Sequence, residues 1–197
     1  MKKYKLTTQD LKTRNTQWVI GEFQPELSGE GDLCGPGWYH YYHDPLLAAF
    51  MNPAHADIGN PRCFEVEALG KHKDDNGLKG GCTKMRLLEE IDLPAATTNQ
   101  RIAFGILCAK EVCKNVRWNA WADNWLNGND RSAHAAYAAT DAAAYAASAA
   151  ADAAAYAARA AHADAAYAAA NAAYATDAAT WNFKKLLTIA KKAMEIK

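Results

Sequence analysis

Residues 63–94 read Cys63-Phe-Glu-Val-Glu-Ala68, then Leu-Gly-Lys-His-Lys-Asp-Asp-Asn-Gly-Leu-Lys-Gly-Gly81, then Cys82-Thr-Lys-Met-Arg-Leu-Leu-Glu-Glu-Ile-Asp-Leu-Pro94. In the first block Phe64, Val66 and Ala68 fall on one side of a period of two, with Glu65 and Glu67 on the other, which is the pattern of a half-buried strand. Asp74-Asp75-Asn76-Gly77 is a strong turn signal, so residues 71–81 are expected as a turn. Residues 82–94 are expected as a second strand that leaves the sheet near Pro94. This antiparallel pairing sets the expected class: α+β, with a small mixed head around a mainly antiparallel sheet.

Upstream, Trp38-Tyr-His-Tyr-Tyr-His43 suits a strand, because aromatic side chains fit a pleated surface. Asp44-Pro45 fits the N-cap and first position of a helix running through Met51, since proline lacks only a donor that the first turn leaves unpaired. Thr16–Phe23 is expected as a strand, Gln24–Gly37 as a loop, and the polar, basic residues 1–15 as an arm or first turn. Downstream, Thr97–Lys114 carries Ile102, Ile106, Leu107 and Val112 at near-helical spacing and is expected as a helix packed on the sheet.

Trp118, Trp121 and Trp125 are spaced by three and four, so one helical face carries three indoles. Burial of that face is worth several kcal/mol by area, so it must meet a core or a partner. Beyond it, residues 132–181 hold 31 Ala in 50 positions and contain neither Gly nor Pro. Alanine is the best helix former, and an unbroken helix of that length would reach about 75 Å. At helical spacing His134, Tyr145, Tyr156, Tyr167, Tyr174, Asp177 and Trp181 fall near one line, giving a polar and aromatic ridge with a smooth alanine back. Such a back is expected to pack on a second copy, a returning segment or another protein. A helical hairpin is the alternative to one rod, with His162-Ala-Asp164 or Thr176-Asp177 as breaks. Finally, Phe183, Leu186, Leu187, Ala190 and Met194 form an apolar face opposite lysines, as expected of a docked C-terminal helix. The expected divisions are a head at 1–115, a tryptophan joint at 116–131, the alanine-rich segment at 132–181 and the terminal helix at 182–197.

The chain has 197 residues and 21.4 kDa, with 22 basic and 22 acidic side chains. Split after residue 130, the charges are 15 against 17 and then 7 against 5, giving −2 and +2. Neither part has the basic excess of a nucleic-acid binder. No apolar run suits a membrane span or a signal peptide, and the acidic residues in the alanine segment oppose insertion. Five scattered cysteines without a C-x-x-C suggest reduced thiols.

The chemistry-bearing sets are sparse. Cys34, His40, His43 and Asp44 are the densest possible metal ligands, but positions 40 and 43 of a strand point to opposite faces, so no metal is expected. Glu65 and Glu67 share a face, as paired carboxylates do, and as the solvated face of a strand also does. Lys79-Gly80-Gly81 lacks the rest of a phosphate loop. Cys34, beside Gly35-Pro36-Gly37, would be a reactive thiol only with a positive neighbour, and none is evident nearby.

At Cys34-Gly-Pro-Gly-Trp-Tyr-His40, Asp44-Pro-Leu-Leu-Ala-Ala-Phe50 and Phe64-Glu-Val-Glu-Ala-Leu-Gly70 the chain resembles uncharacterised phage and prophage proteins in which a small cysteine-bearing head precedes an alanine-rich helical tail. The resemblance implies a viral origin and no set activity. Strand 38–42, helix 45–51 and strand 63–68 are also similar in order to the ADP-ribosyltransferase-like fold. That similarity implies a nucleotide cleft with Glu65 or Glu67 as the catalytic carboxylate, although the opening arginine or histidine motif is missing. The eleven-residue spacing of Tyr145, Tyr156 and Tyr167 is similar to alanine-rich ice-binding helices, without their regular threonines. The expectation is a non-enzymatic interaction protein without cofactor, in the host cytoplasm or on the virion. It would use Trp118, Trp121, Trp125, Tyr145, Tyr156, Tyr167, Tyr174 and Trp181 for self-association or for docking on another protein, with no membrane or nucleic-acid partner.

Overall fold

The alternating stretch at 63–68 opens a longer strand, β5 (Arg62–Asp74), which pairs antiparallel with β6 (Gly80–Ile91) from Cys63 opposite Ile91 to Asp74 opposite Gly80. The structure, a computed structural model, describes residues 1–75, 77, 79–135 and 183–197. Most of the expected turn at 71–81 is therefore strand. Polar residues 72–74 gain ladder partners in β6, and a strand needs only one apolar face. The described remainder of the turn is closed by the Asp75 N–H donating to the Lys79 carbonyl (3.0 Å) and the Gly77 N–H donating to Asp74 Oδ1 (2.7 Å). An irregularity between Leu69 and His72 centres on Gly70, whose φ of +79° and lack of a Cβ let Thr83 Oγ1 approach.

The expected arm at 1–15 is instead structural. Tyr4–Thr7 (β1) pairs antiparallel with the start of β5, burying Lys5, Leu6 and Thr7. Only Leu6 in that strand is apolar, so composition conceals a pairing made by the backbone. Lys12–Thr13 (β2) and Thr16–Gln17 (β3) form a separate short hairpin. The strand expected over Thr16–Phe23 thus shrinks to two residues, followed by buried Trp18 and a strap. In the strap the N–H groups of Gly21, Gln24 and Leu27 donate to the carbonyls of Leu87, Met85 and Thr83 at 2.8, 2.9 and 2.9 Å. It covers the edge of β6 that would otherwise lie open.

Tyr39–Tyr41 (β4) pairs with the first residues of β6, giving the order β1-β5-β6-β4. Tyr4 and Tyr42 then exchange both main-chain hydrogen bonds, at 2.8 and 2.7 Å, so the outer strands meet and the sheet curls on itself. Trp18, Tyr39, Tyr41, Phe64, Val66, Cys82, Met85 and Leu87 form the core of this curl. Each large side chain there contributes roughly 1.5–3 kcal/mol by area. Gly80 and Gly81 permit the closure: a Cβ on Gly80 would lie 2.4 Å from the Tyr41 ring, and one on Gly81 2.6 Å from Leu33.

The helix expected from Asp44-Pro45 is α1 (Pro45–His55), which runs four residues past Met51 and through Pro53. Asp44 Oδ1 accepts the Leu46 N–H at 2.8 Å, and Leu47 through Met51 are buried. Replacing Asp44 by Ala should cost about 1 kcal/mol in urea denaturation, with Asp44→Asn restoring most of it. Equal stability of the alanine variant and the wild type would remove the cap from the account.

The chain divides into two compact units after Ala95 rather than after residue 115. In the second unit α2 (Thr98–Val112) opens with a reciprocal cap between Thr97 and Gln100, and α3 (Val116–Leu126) is capped by Asn115. α2 belongs to the same unit as α3, to which Lys110 is joined through Asp123. Gly128, at φ +76°, stops α3. Asp130 Oδ1 then accepts the Ser132 N–H, Ser132 Oγ accepts the Ala135 N–H, and 133–135 are helical. The terminal helix, α4 (Phe183–Met194), buries Leu186, Ile189, Ala190 and Ala193, while Leu187 and Met194 are only half-buried. Its face is rotated slightly from the expected one. Residues 183–187 group with the first unit and 188–197 with the second.

The class is α+β with an antiparallel sheet of four strands. The long helix expected over the alanine-rich segment lies outside the described residues beyond Ala135, as do its ridge and the hairpin alternative. Among the described residues no helix is long and apolar enough to cross a membrane.

Candidate functional site

The loop before β4 is folded tightly on itself: the Gly29 N–H donates to the Gly37 carbonyl (3.2 Å) and the Gly35 N–H to the Asp32 carbonyl (2.8 Å). This presents Cys34 at the surface. The other four cysteines, Cys63, Cys82, Cys108 and Cys113, are buried. Burial pushes the Cys63 thiol up to about 12 and the Cys82 thiol up to about 11, which leaves both inert at neutral pH.

Lys79, placed by the β5–β6 turn, is 93% buried and its ammonium donates to Cys34 Sγ at 3.1 Å. Among the described residues it makes no ion pair with a carboxylate. The positive neighbour that the local sequence around Cys34 lacks is supplied from a position 45 residues away.

Near this pair lie two histidines and a second lysine. With Tyr39 and Tyr41 turned into the core, His40 faces the other way, and its Nε2–H donates to the carbonyl of Leu33, next to Cys34. Burial pushes the His40 imidazole down to about 4 despite that bond, and the charges of Lys5, Lys79 and Arg14 push the same way. At the end of α1 His55 stacks on Tyr42 (5.7 Å, 14°) with its Nδ1 3.1 Å from the phenol oxygen. Burial pushes its imidazole down to about 3, assisted by Lys79 and His40. Lys5 donates to the His40 carbonyl at 2.9 Å and lies 5.3 Å from the Trp18 ring centroid, with burial pushing its ammonium down to about 8. Lys79 thus contacts the exposed Cys34 thiol, while its charge also acts on the imidazoles of His40 and His55.

Cys34, His40, His43 and Asp44, the densest set of possible ligands, each turn to a different partner, Cys34 to Lys79 and Asp44 to the Leu46 N–H. His40 turns to Leu33 while His43 Nε2 turns to Asp74 Oδ2 at 2.6 Å, the divergence that the strand alternation required. Among the described residues no group of three His, Cys, Asp or Glu has metal-binding proximity. Glu65 is held by Lys2 at 2.6 Å and Glu67 by Arg86 at 2.6 Å, so each carboxylate of the expected pair has its own cation. Gly80 and Gly81 serve the close approach to Tyr41 and Leu33. Trp118, Trp121 and Trp125 are 0%, 7% and 1% exposed, so of the two outcomes expected for their face it is a core that they meet. Trp118 and Trp121 pack at 5.7 Å between centroids, and Arg131 lies 4.6 Å over Trp125. Tyr145, Tyr156, Tyr167, Tyr174 and Trp181 lie outside the described residues.

Residues 1–99 match a family model described as a domain of unknown function, DUF7666. That range holds β1 to β6, α1 and the whole cluster around Cys34. No curated protein and no solved structure matches the chain.

Proposed function

The chain belongs to the DUF7666 family, a domain of unknown function, and we propose that it is a non-enzymatic interaction protein whose head anchors an alanine-rich helix that associates with a second copy. The observation that carries this reading is the way the fold grips both sides of that segment. On the N-terminal side Asp130 and Ser132 cap a chain already helical at 133–135. On the C-terminal side α4 buries Leu186, Ile189, Ala190 and Ala193. A segment of 31 alanines in 50 positions held at both ends offers little but a smooth apolar surface, and such a surface is covered by another like it. The ridge of Tyr145, Tyr156, Tyr167, Tyr174 and Trp181 supplies phenol and indole groups along the same assembly. A phage or prophage origin fits the head-and-tail organisation, with the protein at work in the host cytoplasm or on the virion.

Light scattering on the full chain at neutral pH is the test. The mass should be at least twice 21.4 kDa. A mass of 21.4 kDa at every concentration up to the millimolar range would defeat self-association, and the protein would then need a different partner.

A further inference from the structure

We propose that Cys34 is a site of reversible oxidation by hydroperoxides, with Lys79 as the group that directs the reaction to this one thiol. Four observations converge. Cys34 is the exposed cysteine of the five, so a small oxidant reaches it alone. The Lys79 ammonium donates to its sulphur at 3.1 Å. That ammonium is 93% buried and pairs with no carboxylate among the described residues. An ammonium carries three protons to donate, and the sulphur takes one. Burying a cation costs several kcal/mol unless negative charge or acceptors face it. The arrangement is therefore built to be completed by negative charge on sulphur and by an oxygen placed beside it.

The chemistry balances with the peroxide as the named oxidant. The Cys34 thiol gives up its proton to water, the sulphur anion attacks the nearer oxygen of the hydroperoxide, the S–O bond forms as the O–O bond breaks, and the distal oxygen leaves with the electron pair and takes a proton from water. Sulphur is oxidised by two electrons to the sulfenic acid while the hydroperoxide is reduced to water or an alcohol. Lys79 faces charge on the attacking sulphur at the start and donates to the new sulfenyl oxygen at the end. The two nearby imidazoles are held neutral by burial and keep their protons through these steps. Cys63 and Cys82, the other cysteines of this unit, are buried, so restoration needs a thiol from outside the chain.

The site lies wholly in the first unit and does not depend on the alanine-rich segment, so it survives if self-association fails. To test it, the full chain is treated with stoichiometric hydrogen peroxide at pH 7, trapped with dimedone and read by peptide mass spectrometry. One adduct is expected, at Cys34, and it should be absent from Cys34→Ser. Lys79→Met should slow its formation by roughly tenfold, and Lys79→Arg, which keeps the charge, should restore most of the rate. The buried cysteines report on folding in the same spectra, because a variant that unfolds exposes them to trapping. If the methionine variant loses its fold, the wild-type and arginine rates carry the test: an arginine rate matching a folded Lys79→Gln would overturn the role of the cation. No adduct at Cys34, or equal rates in folded Lys79→Met and wild type, would overturn the proposal.

Discussion

Between pH 6.5 and pH 4.5 the folded protein should lose about 3–4 kcal/mol of stability, most of it through His40 and His55. Both imidazoles ionise near 6.5 in the unfolded chain but are pushed down to about 4 and about 3 in the fold. In this window the unfolded state therefore takes up protons that the folded state refuses. Stability is full above pH 6.5, falls with pH, and stops falling only below about 3–4, where the folded rings also charge. Two pH units on two fully buried rings would give about 5 kcal/mol, and both rings are partly exposed, which lowers the figure. Paired carboxylates such as Glu90, which Arg62 holds below the usual range, act below this window. Urea denaturation at pH 6.5 and 4.5 measures the loss. His55→Phe, which keeps the stack on Tyr42 but cannot titrate, should remove about half of it. Equal stability at the two pH values would show that these rings are not held neutral.

Trp118→Ala should destabilise the second unit by about 3–5 kcal/mol, as expected for a fully buried large aromatic that leaves a cavity. Its ring lies against Trp121, so the truncation removes that contact too. Trp118→Phe should recover about half of the loss, since most of the apolar area returns. Urea denaturation followed by far-ultraviolet circular dichroism measures both variants. A Trp118→Ala protein within 1 kcal/mol of wild type would mean that the indole face is not a core.

Features written in short-range patterns were legible in the sequence. The alternation at 63–68, the Asp44-Pro45 cap and the i, i+3, i+7 indoles each place their own element, because the physics that reads them acts within a few residues. What the sequence concealed depends on distant partners. Lys5 is buried in a strand with one apolar residue because β5 supplies its backbone partners. The strap at 20–27 has no strand pattern because its hydrogen bonds run to β6 from every third residue. Likewise the cation beside Cys34 arrives through the β5–β6 turn. A local search around Gly35-Pro36-Gly37 could not reveal it. The signal was present in another form: Lys79 precedes two glycines that let β6 close on Tyr41 and Leu33, so its side chain enters wherever that closure leads.

The central claim is that a smooth alanine back joins two copies of this chain, and sedimentation equilibrium on a charge-inserted variant tests it most directly. At 100° per residue Ala154 and Ala165 fall opposite the line of Tyr145, Tyr156 and Tyr167. The wild type should sediment at no less than twice 21.4 kDa, and Ala154→Glu with Ala165→Glu should bring the mass down to 21.4 kDa while the head keeps its circular dichroism. A monomeric wild type, or a variant that assembles as fully as the wild type does, would contradict the account.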